Sequence, residues 1–459
     1  MPTPTPFHFP PDFQWGVSTA SVQIEGGAFA DGKGESIWDR FAQQGKIQGG
    51  PNAVSITCDH YGRWAEDVNL LADLGVNVYR FSVAWPRILP EGKGRVNQKG
   101  IDFYRRVIAL LQEKGIKPAI TLYHWDLPQA LQEQGGWLNR DTAYRFAEYG
   151  ATLFHEFGAD VPLWMTLNEP FIVVFSGHIT GEHAPGLRRP FSAMQVAHHL
   201  LLGHGEAVKA FRQVAPIGGR IGLTNFLWDH QSASGKAGDR AAALRADGMI
   251  SRWFLDPIFK GHYPEDVMAW YRSRFAAPRI KEGDLETIAQ PIDFLGVQYY
   301  SRIIHRANPW NLFTGFAQVE PRAVPTTDMG WEIYPEGLYK LLLRLKKDYG
   351  PIPLIVTENG AAFADNVAPD GRVHDDERVR YLQAHIRAVG QAMAAGVNVQ
   401  GYYVWSFLDN LEWHHGVSKR FGLVHVDFET LKRTPKESAF WYRDFIRSGA
   451  DLTDVAASE

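Results

Sequence analysis

The chain has 459 residues, 45% of them hydrophobic and 21% charged, a balance that suits a globular protein able to bury a large core. A formal net charge of -4 and a pI near 6.5 leave no basic footprint for nucleic acid or an anionic membrane. The single cysteine, Cys58, excludes an internal disulfide, and no run of about 18 apolar residues is present to span a bilayer.

In chain order, Met1 to Pro6 is polar and proline-rich with no basic cluster leading into an apolar run, so a cytoplasmic setting is expected. A β-rich stretch follows at Phe13 to Ala20. The next unit sets a pattern. An amphipathic helix ends at Leu71-Ala72-Asp73-Leu74-Gly75, where glycine accepts the left-handed conformation, and Val76 to Ser82 reads as a short strand. The same phrase recurs at Gly115 before Ile116 to Tyr123 and at Gly158 before Val161 to Asn168. It returns at Gly350 before Ile352 to Thr357 and at Gly396 before Val397 to Trp405. Ile221 to Asn225 and Phe294 to Tyr300 complete a series of eight strands.

Helices alternating with short apolar strands predict parallel βαβ units, and eight of them predict an α/β fold, a single-domain (β/α)8 TIM barrel. A doubly wound open sheet is the alternative, but no glycine-rich phosphate turn follows the first strand; Gly26-Gly27 and Gly49-Gly50 are loop glycines. The stretches from Phe226 to Ile292 and from Ser301 to Pro351 read as elaborated βα loops. No shift in composition marks a boundary. Residues 1–459 are therefore expected to form one catalytic domain, with an ordered core over about 8–448 and short tails.

Such barrels build their active sites at the C-terminal ends of the strands, and polar and aromatic residues gather there in this sequence. Arg80 ends the second strand, His124-Trp125-Asp126 the third and Asn168-Glu169 the fourth. Gln298-Tyr299-Tyr300 ends the sixth, Glu358-Asn359 the seventh and Trp405-Ser406 the eighth. Glu169 and Glu358 would project toward a common axis. Two carboxyl groups across a cleft suit acetal cleavage, one protonating the departing oxygen while the other captures the oxocarbenium-like carbon. Either could instead be a salt-bridged residue of the barrel mouth.

The flanking residues decide between these readings. Thr166-Leu167-Asn168-Glu169-Pro170 and Val356-Thr357-Glu358-Asn359-Gly360 match the acid/base and nucleophile motifs of glycoside hydrolase family 1, the β-glucosidase family, which this sequence resembles over nearly its whole length. Phe13 to Gly26 looks like the family's N-terminal signature. Further motifs follow in order at Tyr79-Arg80-Phe81-Ser82, His124-Trp125-Asp126, Asp293 to Tyr300, Trp405 to Asn410 and Glu412-Trp413.

The resemblance implies a retaining mechanism, with Glu358 as nucleophile and Glu169 as acid/base. It implies that Asn168 bonds the sugar 2-OH and that Arg80 and Tyr300 keep Glu358 ionised and oriented. Gln23, His124 and Glu412 match the family's hydroxyl binders; Trp405 matches its stacking floor, and Trp125, Trp413 and Phe421 line the glycone pocket. Taken alone, His124 and Trp405 suit structural roles as well. Trp413 and Phe421 stand where phosphosugar-cleaving members carry a small hydroxyl residue and a Tyr, so a neutral glucoside is expected; Lys419 does not discriminate. The implied substrate is a small β-glucoside or cello-oligosaccharide, with some β-galactosidase or β-fucosidase side activity.

Gln298 stands where the family usually has Asn, and Phe171 and Ile172 replace its Trp and Cys after the acid/base. An altered pH profile or altered aglycone handling is expected from the former. His198-His199 and His414-His415 lack the convergent third and fourth ligands of a metal site, and Cys58 lacks a thiol-catalysis signature. Packing or solvent-facing roles are expected for all of them, and no cofactor is implied. A catalytically inactive sugar-binding barrel is the rival from another class, disfavoured because both carboxylates are present. A transglycosylating enzyme of the same family is the nearer one.

Overall fold

The computed structural model describes residues 7–214, 218–320 and 323–450; much of the two expected tails lies outside these. Eight strands form a closed, all-parallel barrel: β1 (Gln14–Ser18), β2 (Val78–Ser82), β3 (Lys117–Tyr123), β4 (Leu163–Asn168), β5 (Arg220–Phe226), β6 (Phe294–Gln298), β7 (Leu354–Asn359) and β8 (Val399–Trp405). β1 closes the ring by pairing with both β2 and β8. The fold is a single (β/α)8 TIM barrel, and each strand falls on a run expected from sequence.

The connecting helices form because apolar residues recur at helical spacing. In α1 (Gln98–Glu113) the buried positions Ile101, Tyr104, Val107, Ile108 and Leu111 make one stripe. Gly115 after it takes φ 73°, as Gly75, Gly350 and Gly396 take 71°, 85° and 81° after their helices. Gly158 differs from expectation: it keeps a right-handed φ of -61°. There the chain makes one more turn, with the Asp160 and Val161 amides donating to the Phe157 carbonyl, before β4 begins.

Side chains two apart on a strand share a face, which stacks the barrel interior in layers. Val78, Ala119, Leu163, Met165, Phe294, Ile355 and Tyr403 form an apolar cluster. Two residues beyond Val78 and Ala119, and four beyond Phe294, Arg80, Thr121 and Gln298 begin a buried polar layer. The parallel pairing shifts register between Met165 and Asn168 and between Val356 and Glu358, which re-aims the last side chains of β4 and β7.

The long loops carry an outlying three-stranded sheet of Asp229–Ser232, Arg302–Ala307 and Phe316–Val319 beside the barrel mouth. Among the described residues no helix is long and apolar enough to cross a membrane.

The segment after β8 is held by a buried ionic cluster. Lys436, fully buried, donates from Nζ to Asp365 Oδ2 (2.5 Å) and Asp409 Oδ1 (2.7 Å), while Arg378 donates to Asp365 (2.6 Å) and Arg420 to Asp409 (2.7 Å). Removing one member of such a cluster leaves its partners buried and uncompensated. Lys436→Met is expected to cost about 3–5 kcal/mol in equilibrium urea unfolding; a loss below about 1 kcal/mol would show that the cluster is not holding this segment.

Candidate active site

The two motif carboxylates project from the ends of β4 and β7. Glu169 takes a left-handed backbone (φ 40°, ψ 66°) that turns the chain from β4 into the short helix opened by Pro170. Glu358 keeps strand geometry, and the residues behind it explain its motif. Asn359, fully buried, donates from Nδ2 to the Tyr299 carbonyl (2.5 Å) and accepts from the Tyr402 hydroxyl (2.5 Å), so it fastens β7 to both neighbours. Gly360 is needed because a Cβ there would lie 1.8 Å from the Trp405 carbonyl oxygen.

Both carboxyls open into one cavity of about 230 Å³ at the C-terminal mouth of the barrel. His124, Trp125, Tyr300, Trp405, Glu412, Trp413 and Phe421 line it with them. Three aromatic or acidic wall residues hold positive φ: Trp125 at 77°, Glu169 at 40° and Trp413 at 47°. Such strain persists only where the surroundings over-determine the backbone. Packing does so here, since the Trp413 ring lies 4.3 Å from Trp125 and 4.5 Å from Trp38.

The two glutamates have different surroundings. Arg80 Nη1 donates to Glu358 Oε1 (2.6 Å) and the Tyr300 hydroxyl to Oε2 (2.7 Å). Burial raises the Glu358 carboxyl, but Arg80, Tyr300 and Gln298 oppose it. Glu169 has no such clamp: its Oε1 is buried without a donor, and burial, reinforced by the Glu358 charge, holds it well above the usual carboxylate range. Of the two, Glu169 is the one that keeps a proton. Burial and the Glu358 charge also push Glu412 up to about 8.

Arg80, Asn168 and Gln23 are buried, and Arg80 and Asn168 bond directly to the lining residues Glu358 and His124. Asn168 Oδ1 accepts from Arg80 Nη2 (2.6 Å), Gln298 Nε2 (2.7 Å) and Thr224 Oγ1 (3.1 Å), which fixes the direction of its amide. Its Nδ2 must then donate to His124 Nε2 (3.0 Å), placing the imidazole proton on Nδ1. Burial, and then Arg80, hold His124 well below its ordinary value, so it is neutral. His124 Nδ1 has no protein partner, and the N–H is left for a ligand hydroxyl. Gln23 donates to the Leu411 carbonyl (2.7 Å), leaving Oε1 without a partner. The Trp125 indole N–H is already spent on the Asn168 carbonyl (2.8 Å), so this residue offers the cavity a ring face alone.

His414 and His415, expected to pack or face solvent, are half-buried and line the cavity mouth with His183 and Glu182. Phe226, at the end of β5, and Trp228, Met329 and Trp331, on loops, also form its wall and were missed, because neither periodicity nor a motif marks them. Their signal was at most compositional, in a chain with 15 Trp. His198 and His199 do pack, bonded to Tyr263, Asp284 and the Trp137 carbonyl, and Cys58 is a fully buried thiol facing the Asp409 carbonyl (3.1 Å).

The profile of glycosyl hydrolase family 1 matches residues 6–450. The chain belongs to this family. Among family 1 relatives, it is 47% identical to beta-glucosidase A of Acetivibrio thermocellus, over 96% of this chain and 98% of that one. It is 48% identical to a 1,4-beta-D-glucan glucohydrolase of Thermotoga neapolitana, over 97% and 99%. The family 1 β-glucosidase structure from Thermotoga maritima superimposes with a TM-score of 0.93 at 46% identity, covering 97% of this chain and 99% of that one. As a family 1 member, the chain is a glycoside hydrolase.

Gln298 touches both Asn168 and Glu358. Shortening it withdraws a donor that lowers the Glu358 carboxyl. Gln298→Asn is therefore expected to move the acidic limb of kcat/KM to higher pH while kcat stays within about tenfold. An unshifted limb in a pH–rate profile would contradict this.

Proposed function

We propose that the enzyme is a retaining β-glucosidase that removes the terminal non-reducing glucosyl unit of small β-glucosides and β-glucan oligosaccharides. The observation that carries this reading is the unequal treatment of two carboxyls in one cavity. Glu358 is clamped by Arg80 and Tyr300, and Glu169 is buried with no cation bonded to it. The names of the relatives from A. thermocellus and T. neapolitana supply the substrate class.

In the first step a Glu358 oxygen attacks the anomeric carbon as the bond to the aglycone breaks, and the departing oxygen takes the Glu169 proton. The glycosyl-enzyme so formed is neutral at Glu358, which removes the charge that had raised Glu169. Glu169 is then a carboxylate able to take a proton from water as the water attacks the same carbon. Glucose leaves with its anomeric configuration kept, and both carboxyls return to their starting states. A sugar or alcohol in place of water would give transglycosylation.

For the glycone, Trp405 provides a ring face, while His124 Nδ1–H, Glu412 and Gln23 Oε1 provide hydroxyl partners of opposite polarity. One Asn168 amide hydrogen is used by His124, leaving the second for the 2-OH. Trp413 and Phe421 complete an apolar wall, which favours a neutral sugar over a phosphorylated one. The fitting of glucose hydroxyls leaves room for some galactoside or fucoside cleavage. One catalytic unit in the cytoplasm, working on sugars of a few units, accords with a chain that has no internal disulfide.

Activity requires Glu169 protonated and Glu358 ionised, so it falls as pH rises through the raised Glu169 value and as pH falls through that of Glu358. Tyr300→Phe removes a donor to Glu358 and is expected to shift the acidic limb upward with a loss in kcat of about tenfold or more. On aryl β-glucosides, Glu169→Ala and Glu358→Ala are each expected to lose about 10²–10⁴-fold. Azide should rescue Glu169→Ala and give a β-glycosyl azide. Wild-type rates in either variant, or an α-configured azide, would contradict the assignment.

A further inference from the structure

Outside the catalytic cavity, one stretch of surface leaves large apolar side chains uncovered. The hairpin of the outlying sheet, Arg302–Ala307 paired with Phe316–Val319, turns through residues 308–315. In that turn Trp310 is 90% and Leu312 76% exposed. Phe275, just past the helix Glu265–Arg272, is 95% exposed. The two segments make one surface: Arg274 Nε donates to the Leu312 carbonyl (2.5 Å) and Trp270 Nε1 to that of Phe313 (2.8 Å). Contiguous apolar surface of this kind marks a contact site.

The patch is held in shape. In the hairpin turn the Asn308 amide donates to the Gly315 carbonyl (3.1 Å) and the Gly315 amide to that of Asn311 (2.7 Å). Phe275 has φ 56°; its amide donates to the Arg272 carbonyl (3.2 Å) and the Ala276 amide to that of Tyr271 (2.9 Å). This is the helix ending whose left-handed position is usually glycine. A bulky ring there is strained, and at this exposure it gains little inside its own chain, which points to a use outside it.

The surrounding polar groups select the kind of partner. Ser273 Oγ donates to the Trp270 carbonyl (2.8 Å), Thr314 Oγ1 to that of Phe316 (3.2 Å), and Arg274 Nη1 to Ser273 Oγ (2.6 Å). Spent in this way, they offer little to the hydroxyls of a sugar. The guanidiniums of Arg245 and Arg274 lie over the Trp270 ring at 3.7 and 3.4 Å. Glu265 pairs with Arg272 (3.0 Å) and Asp266 with Arg252 (2.7 Å), so the rim presents both signs to an identical copy. An aromatic side chain covers about 150–250 Å² when buried. Trp310 and Phe275, met by the same two residues of a second copy, would therefore remove about 600–900 Å² from water, against roughly 1,200–2,000 Å² for a stable interface. Leu312 and the rim lie where the remainder is needed.

We propose that this patch is the interface of a two-fold homodimer, with Trp310 and Phe275 of each copy packed against the same face of its partner. A two-fold contact is the commonest closed symmetry, and here it uses one self-complementary apolar surface twice.

The test is sedimentation equilibrium on the full chain and on Phe275→Gly/Trp310→Ser. Both side chains are exposed, and glycine relieves the positive φ, so the variant is expected to melt no lower than the wild type. At about 50 µM the wild type is expected to have twice the 51.7 kDa mass of one chain, and the variant's dissociation constant to rise by about a hundredfold or more. Trp310→Tyr, which keeps an aromatic ring, is expected to retain the dimer. Turnover of an aryl β-glucoside should stay within about twofold in all three, since none of these residues lines the catalytic cavity. A wild type that is monomeric at this concentration, or a double variant that remains dimeric, would overturn the proposal. So would a monomeric wild type retarded by β-glucan in an affinity gel in a Trp310-dependent way, which would assign the patch to polysaccharide instead.

Discussion

One buried guanidinium underlies the chemistry of this barrel. Arg80 is fully shielded from solvent, and a cation there must be balanced by well-placed acceptors or it would cost more than the fold can bear. The acceptors are Glu358, Asn168 and Thr121, contributed by three other strands. Holding Glu358 as an anion makes a second anion in the same cavity unfavourable, so the proton stays on Glu169. Holding Asn168 by its carbonyl oxygen turns its amide hydrogens toward His124, which sets the imidazole tautomer. An ionised nucleophile, a protonated acid and a directed sugar donor therefore share one cause.

The barrel makes this arrangement affordable by layering. The apolar plug of Val78, Leu163, Met165, Phe294 and Tyr403 excludes water from below, and the packed rings of Trp38, Trp125 and Trp413 crowd one side of the cavity above. Between them the interior is dry enough for two hydrogen bonds and a charge to separate the behaviour of two identical side chains.

Much of this was legible in sequence because its causes are local. Glycines after helices mark Gly75, Gly115, Gly350 and Gly396, since a left-handed turn tolerates little else; Gly158 misleads because its helix ends through an extra turn instead. The motif around Glu358 is legible because Asn359 and Gly360 answer to fixed demands of neighbouring strands. The cavity mouth was harder to read. Trp228, Met329, Trp331 and His183 lie on loops that meet only in three dimensions, and no periodicity announces which of their faces turns inward. His414 and His415 were judged by metal-ligand spacing, a criterion blind to their place on the rim. The carbonyl-first orientation of Asn168, and with it the His124 tautomer, depends on three donors from β2, β5 and β6 and could not have been read from any one segment.

The most direct measurement of the central claim is covalent trapping. A 2-deoxy-2-fluoro-β-glucoside with a good leaving group slows both steps but the second more, so the glycosyl-enzyme should accumulate. Proteolysis and mass spectrometry are expected to find one fluoroglucosyl group per chain, on Glu358. A label on Glu169, or burst-free turnover with no adduct at any residue, would contradict the division of labour that Arg80 imposes.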